Sequence, residues 1–185
     1  METIWNRIET WLVANAPEIL NNLQSGATDE AIKQAEIFLG IELPEDVKAS
    51  YRLHNGQDGY NGLMDGWEFL SLERMMDEWK IWKELLDSGD FDDSKSDPDS
   101  PIQADWWNAK WIPLTSNGCG DHHCLDLDPA PGGNVGQIIT MWHDWERREI
   151  VASRFQNWLE QLAADLESGK YIFSKEDGGL VEVNE

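Results

Sequence analysis

Apolar residues recur at helical spacing through the first part of the chain. One stripe, with residues three and four apart, runs from Ile4 to Leu12, and a shorter one follows Pro17, which suits a first helical turn. Thr28 suits the N-cap of a third helix, and Gly40 suits its left-handed end. The pattern therefore predicts that the chain begins with several helices.

The pattern changes after Asn55-Gly56, where a fourth helix that opens at Pro44 is predicted to end. Residues 67–70 alternate between apolar and polar as a short strand does. Ser71 then suits the N-cap of a longer helix that carries a stripe of methionine and tryptophan. Such a stripe is more typical of a core-facing side than of a ligand groove.

Short apolar runs bounded by turn residues fill the second half, and they predict strands. The candidate strands are residues 110–114, 122–127, 137–142 and 150–152. Pro113 favours a sheet edge or a strand end for the first of them. Residues 144–148 are predicted to form a polar turn.

The chain is predicted to close with a helix and a hairpin. Ser153 and Gln156 match a capping box, and Ser168-Gly169 ends the helix that follows it. Residues 171–183 predict a β-hairpin around an Asp-Gly-Gly turn. Taken together, the order of elements predicts an α+β fold: a mostly antiparallel sheet of about four to six strands flanked by helices. The 185 residues suit a single domain, 1–185.

Residues 87–105 differ in composition from the rest of the chain. They hold seven aspartates against one lysine, with glycine and proline as breakers and no apolar periodicity. We expect an exposed, mobile acidic loop inserted in the domain.

The whole chain is strongly acidic, with 36 acids against 14 bases and a formal net charge of −22. Such a charge repels phosphate backbones and anionic lipid, so we expect neither nucleic acid nor a membrane as partner. It attracts basic proteins, although high charge also serves solubility alone.

Several observations favour a cytoplasmic location. No apolar run approaches the ~18 residues of a membrane span, and the start of the chain lacks the pattern of a signal peptide. The two cysteines, Cys119 and Cys124, make no disulfide framework.

The densest polar cluster, residues 117–129, raises the question of a metal site. On a strand, His122 and Cys124 share one face and His123 takes the other. Zinc needs ligands that converge, so we expect this cluster to be structural and predict no metal. The less favoured alternative is a metal-dependent enzyme built around His122, His123 and Cys124. The chain shows no phosphate-binding loop and no pairing of nucleophile and base; we therefore expect no cofactor and no catalysis.

A set of motifs, taken in order along the chain, resembles the SUKH superfamily. This superfamily joins the Smi/Knr-like fungal cell-wall assembly regulators with bacterial immunity proteins. The match runs from residue 28 to residue 168, and its elements follow the family's order. The motifs are Phe38–Asp46, Leu53–Gln57, Trp67–Glu73, Trp111–Leu114, Cys124–Pro129, Gly136–Ile139 and Ser153–Leu159.

The resemblance implies an α+β fold and a binding role without shared catalytic residues. Residues that match the family's motifs are expected to form turns, caps and strand ends. They are Asn55, Gly56, Gly120, Asp121, Asp126, Asp128 and Gly136. Because fungal members carry long disordered arms that this chain lacks, we expect the compact bacterial kind.

The leading hypothesis is therefore an immunity-type protein that blocks the basic active surface of a toxin, of the nuclease or deaminase class. The alternative is a scaffold that regulates cell-wall assembly or signalling. The residues expected to steer a basic partner are Asp90, Asp92, Asp93, Asp97 and Asp99. Trp106 and Trp107, beside the acidic segment, are expected to anchor it. The oligomeric state stays open.

Overall fold

Residues 1–59 and 61–183 are described by a computed structural model, which contains six helices and ten strands in that part of the chain. The helices are α1 (Glu2–Asn15), α2 (Pro17–Asn22), α3 (Asp29–Leu39), α4 (Glu45–Tyr51), α5 (Leu72–Ser88) and α6 (Phe155–Ser168). The strands are β1 (Glu68–Phe69), β2 (Asp97–Pro98), β3 (Trp111–Pro113), β4 (Thr115–Ser116), β5 (His122–Asp126), β6 (Gln137–Met141), β7 (Arg147–Arg148), β8 (Ile150–Ala152), β9 (Tyr171–Ser174) and β10 (Gly179–Glu182). The α+β prediction is confirmed.

Local side-chain chemistry sets several helix ends. The Thr28 hydroxyl accepts a hydrogen bond from the Ala31 N–H at 3.1 Å, and the Ser71 hydroxyl accepts one from the Arg74 N–H at 3.2 Å. Glycines in the left-handed conformation end the third, fifth and sixth helices, at positions 40, 89 and 169. None of the described helices has the length and apolarity needed to span a bilayer.

The central sheet has four antiparallel strands in the order β3-β5-β6-β8. Pro113 lies in β3 at one edge, as its missing N–H requires. Two-stranded pairs surround this sheet: β1 with β4, β9 with β10, and β2 with β7. At the other edge the register shifts between Ile138 and Ile139, which leaves Val151 as a bulge residue of β8.

Both faces of β3, β5 and β6 are largely buried, and apolar side chains of these strands pack on each face. Leu125 and Ile138 face the larger core, which the helices supply. Cys124 and Ile139 face a smaller core that contains Trp82 of α5. The alternation of side chains along β5 thus separates two hydrophobic clusters.

The acidic segment is more ordered than the composition predicts. Helix α5 continues to Ser88, and β2 then pairs in parallel with β7. Ile102 is buried in the smaller core. The prediction of one mobile loop over residues 87–105 is therefore wrong: the backbone hydrogen bonds of β2 and the burial of Ile102 fix its second half, so the loop proper is residues 89–96.

Two other local predictions are also wrong, because contacts with distant segments determine the structure there. Residues 144–148 were expected to form only a turn, but they contain β7, and Arg148 is fully buried. The Ser153–Gln156 capping box does not form, because Arg154 takes the N-cap position. Instead, the Asp46 carboxylate on α4 accepts the Gln156 N–H at 3.1 Å.

Candidate binding site

Five aromatic rings lie in contact from the protein interior to its surface. The centroids are 5.6 Å apart between Trp158 and His123, 4.6 Å between His123 and Trp67, 5.7 Å between Trp67 and Trp142, and 6.2 Å between Trp142 and Trp145. Trp145 is 51% exposed at the outer end. We call these five residues the aromatic row.

A tight turn presents the central tryptophan of the aromatic row. Met64 and Trp67 exchange both backbone hydrogen bonds, at 3.0 and 3.1 Å. Asp65 and Gly66 lie between them with φ of 58° and 80°. Positive φ at both central residues is the pattern of a type I′ turn, for which Asp-Gly is a favoured pair.

An open pocket of about 190 Å³ lies at the inner end of the aromatic row. Met64, Val151, Trp158 and Leu162 give it mainly apolar walls. Its polar lining is Asp65, His123, Gln161, Asp165 and Lys170. The pocket therefore combines an apolar interior with a charged rim.

The charges of the rim are partly neutralised within the chain. The Lys170 Nζ lies 3.3 Å from Asp165 and 3.7 Å from Glu182, and 5.3 Å from the centre of the Tyr171 ring. Burial opposes the charge on Lys170, but the hydrogen bond to Asp165 and the nearby carboxylates raise its pKa overall. Burial, followed by the charge of Asp65, raises the pKa of Tyr171.

His123 forms one wall of the pocket in its neutral state. Burial, with a smaller contribution from His122, lowers the pKa of His123 to about 4. Its Nδ1 lies 3.1 Å from the Thr115 hydroxyl. At neutral pH this side chain is therefore an uncharged ring between two tryptophans.

The residues suspected of binding metal do not converge. The Trp82 Nε1 donates to the His122 Nε2 at 3.0 Å, and the His122 Nδ1 donates to the Thr115 carbonyl at 2.6 Å, so both ring nitrogens are engaged. Burial lowers the pKa of His122 and raises that of Cys124. His123 lies on the opposite face of β5. These residues are committed to internal contacts.

Asp121, His143 and Asp144 do bring their side-chain ligand atoms within 4.8 Å of one another in the described chain. The His143 Nδ1 lies 2.8 Å from the Asp121 carboxylate, so this group already contains an internal pair.

Two of the motif residues, Asn55 and Gly56, pack against the start of α5. The Asn55 Oδ1 accepts the Leu72 N–H at 3.0 Å. Gly56 has φ of 72°, and a Cβ at this position would lie 2.3 Å from the Ser71 nitrogen. Only glycine fits that approach.

The motif residues of the sheet also make internal contacts. Asp121 accepts the His143 N–H at 2.9 Å, and Asp126 accepts from the Gln137 amide at 2.8 Å. The Asp128 N–H donates to Asp126 at 2.9 Å. Gly120 and Gly136 have φ of 101° and 90°.

The residues predicted to bind a partner fall into different environments. Asp90, Asp92 and Asp93 are exposed in the loop of residues 89–96. Asp97 lies in β2, and Asp99 pairs with Arg147 at 2.6 Å.

The two tryptophans predicted as anchors also differ. Trp106 is half-buried and stacks 5.1 Å from the Arg148 guanidinium. Trp107 is only 2% exposed and packs in the smaller core, so its prediction as a surface anchor is wrong. The exposed Trp145 was not predicted, although its spacing from Trp142 is visible in the sequence.

Helices packed on a mostly antiparallel sheet, with an open pocket beside one sheet edge, define a small α+β domain. More specifically, residues 26–161 match the SMI1 / KNR4 family (SUKH-1), and the chain belongs to this family.

Three similar proteins come from fungi. The "Cell wall biosynthesis/cell cycle regulator smi1" of Schizosaccharomyces pombe is 30% identical over 95% of this chain. The "Glucan synthesis regulatory protein" of Neurospora crassa is 28% identical over 95%, and the "Cell wall assembly regulator SMI1" of Saccharomyces cerevisiae is 27% identical over 90%. The chain spans 38%, 40% and 40% of their respective lengths.

Proposed function

We propose that this chain is a non-catalytic, protein-binding regulator of cell-wall assembly. The observation that carries the proposal is the alignment of 95% of the chain with a fission yeast protein named as a cell-wall regulator. That alignment covers nearly all of the chain that forms the helices and the central sheet.

The site geometry supports binding in preference to catalysis. An open pocket with apolar walls, linked through contacting aromatic rings to the half-exposed Trp145, is the kind of surface that anchors a partner. His122 and Cys124 are buried and engaged in the interior, where they serve packing.

The relatives favour the cell-wall hypothesis over toxin neutralisation. All three described above are named as regulators of the cell wall, glucan synthesis or wall biosynthesis. The acidic surface would suit a basic protein partner under either hypothesis, so charge does not distinguish them.

A domain replacement tests the proposal. The aligned domain of the Schizosaccharomyces pombe regulator is replaced by this chain, and wall β-glucan content and lysis by a glucan-digesting enzyme are measured. We expect the chimera to restore the wall of a strain that lacks the regulator. A chimera with Leu125→Asp, which places a charge in the core, serves as the inactive control. A well-expressed, folded chimera that leaves the wall as in the deletion strain would contradict the proposal.

A further inference from the structure

We infer that the pocket at the inner end of the aromatic row receives an apolar side chain from an extended segment of a protein partner, with basic residues flanking that side chain. The inference rests on the proposed function, since it names the chemistry of the partner and the place where it binds.

The size of the pocket fits one side chain. Its volume of about 190 Å³ lies below the ~300–1,000 Å³ that is typical of sites for drug-sized ligands and cofactors. Protein interfaces, in contrast, gain most of their affinity from a few side chains that fill such pockets.

The walls select an apolar occupant. Met64, Trp158 and Leu162 line the interior, and Val151 is 40% exposed beside them. Because His123 is neutral at physiological pH, the wall that it forms is uncharged and suits an apolar side chain.

The bulge residue of β8, Val151, lines the pocket and is exposed to solvent. β8 is the last strand in the order of the central sheet, and bulges at such edges re-aim side chains. A substitution at Val151 therefore reaches the pocket mouth and leaves the buried walls unchanged.

The charges around the pocket select basic flanks. Asp65 and Asp165 are on the rim, and the one lysine of the rim is already paired with Asp165 and Glu182. At the other end of the aromatic row, Asp144 and Glu146 flank the exposed Trp145. A cation drawn to these carboxylates would lie close to an exposed indole ring, which also attracts cations.

The aromatic row limits the straight-line distance between the pocket and Trp145. Its ring-to-ring steps measure between 4.6 and 6.2 Å. At ~3.3 Å per extended residue, about seven residues reach from the pocket to Trp145 at most.

The test uses a phage-displayed library of random 12-residue peptides, selected on the full chain. We expect the enriched peptides to carry a large apolar residue with lysine or arginine on both sides. Val151→Arg should weaken their binding by about tenfold or more, since a cation then sits at the pocket mouth. The matched control is Val135→Arg, another exposed valine that lies outside the pocket, and it should change binding less than about twofold.

A second variant guards against a folding defect in the first. Asp65→Asn removes a rim charge, and asparagine tolerates the same positive φ. We expect about threefold weaker binding and a smaller dependence on NaCl, whereas Asp77→Asn on the exposed side of α5 should alter neither. A library that yields no binding peptide, or peptides that are acidic, or peptides that bind Val151→Arg as well as wild type, would overturn the inference.

Comparison with the yeast chimera separates the two proposals. If the chimera restores the wall and its Val151→Arg version does so equally, the pocket inference fails and the regulator function stands. If the chimera fails while basic peptides still bind the pocket, the regulator function fails and the pocket inference stands.

Discussion

Arg148 shows how one side chain can join separate segments. It is fully buried, and its guanidinium donates to the backbone carbonyls of Trp145 at 2.6 Å, Arg147 at 2.7 Å and Trp106 at 2.8 Å. Burial lowers its pKa to about 10, so it stays charged at neutral pH. It therefore ties the segment that leads into β7 to the residue that follows the acidic segment.

We expect Arg148→Ala to lower the free energy of unfolding by about 3–5 kcal/mol, because three backbone carbonyls lose their donor and a cavity forms in the interior. The neighbouring Arg147 is one-third exposed and pairs with carboxylates at the surface, so Arg147→Ala should cost about 1 kcal/mol or less. Urea denaturation at pH 7 measures both. Equal losses in the two variants would show that Arg148 is not the joining residue.

At the scale of single residues, the sequence predicts which face of a strand a side chain occupies. It does not predict which distant residue that side chain contacts. Alternation along β5 correctly places His123 opposite His122 and Cys124. The contact between Trp67 and His123 joins residues far apart in the chain, and nothing in either local pattern indicates it. The aromatic row and the burial of Arg148 could not be predicted for this reason.

Elements with strong periodicity were predictable, whereas those made by pairing were not. The apolar stripe and the Ser71 cap identify α5, and the apolar run of 137–142 identifies β6. β2 and β7 have two residues each and exist because each provides the other's backbone partner. A polar, charged sequence gives no local sign of such a pair.

The start of α6 provides a test at the scale of elements. We expect Asp46→Ala to destabilise the protein by about 0.5–2 kcal/mol, because the Gln156 N–H loses its acceptor across the α4–α6 contact. Ser153→Ala should have little effect, since α6 has no side-chain cap of its own. Thermal unfolding of the two variants measures both effects. A larger loss of stability for Ser153→Ala than for Asp46→Ala would show that the capping box forms after all.

For the whole molecule, charge is the dominant feature. Many of the basic side chains form ion pairs with carboxylates of the same chain, as Arg7 does with Glu167 and Arg147 with Asp99. Asp90, Asp92 and Asp93 stay exposed. Steering of a basic partner by these three remains a prediction, and it implies an association rate that falls as salt is added.

The repulsion among the negative charges of this chain can be measured without a partner. We expect the melting temperature to rise as NaCl increases from about 10 to about 300 mM, because the screening length falls from about 30 Å to below 10 Å. The triple variant D90N/D92N/D93N should show a smaller rise, since it carries three fewer negative charges. Scanning calorimetry measures both, and the triple variant serves as the control for the charge of the loop. A melting temperature that falls with NaCl would contradict this view.

The parallel pairing of β2 with β7 has a consequence for how this protein can diversify. It fixes the far end of the loop of residues 89–96, while α5 fixes the near end, so this loop connects two well-anchored elements. Lengthening such a loop lowers the stability of the fold by only about 0.6 kcal/mol for each doubling of the loop length. Evolution can therefore insert new recognition sequences here, and an experimenter can insert a reporter, while the pocket and the sheet keep their shape.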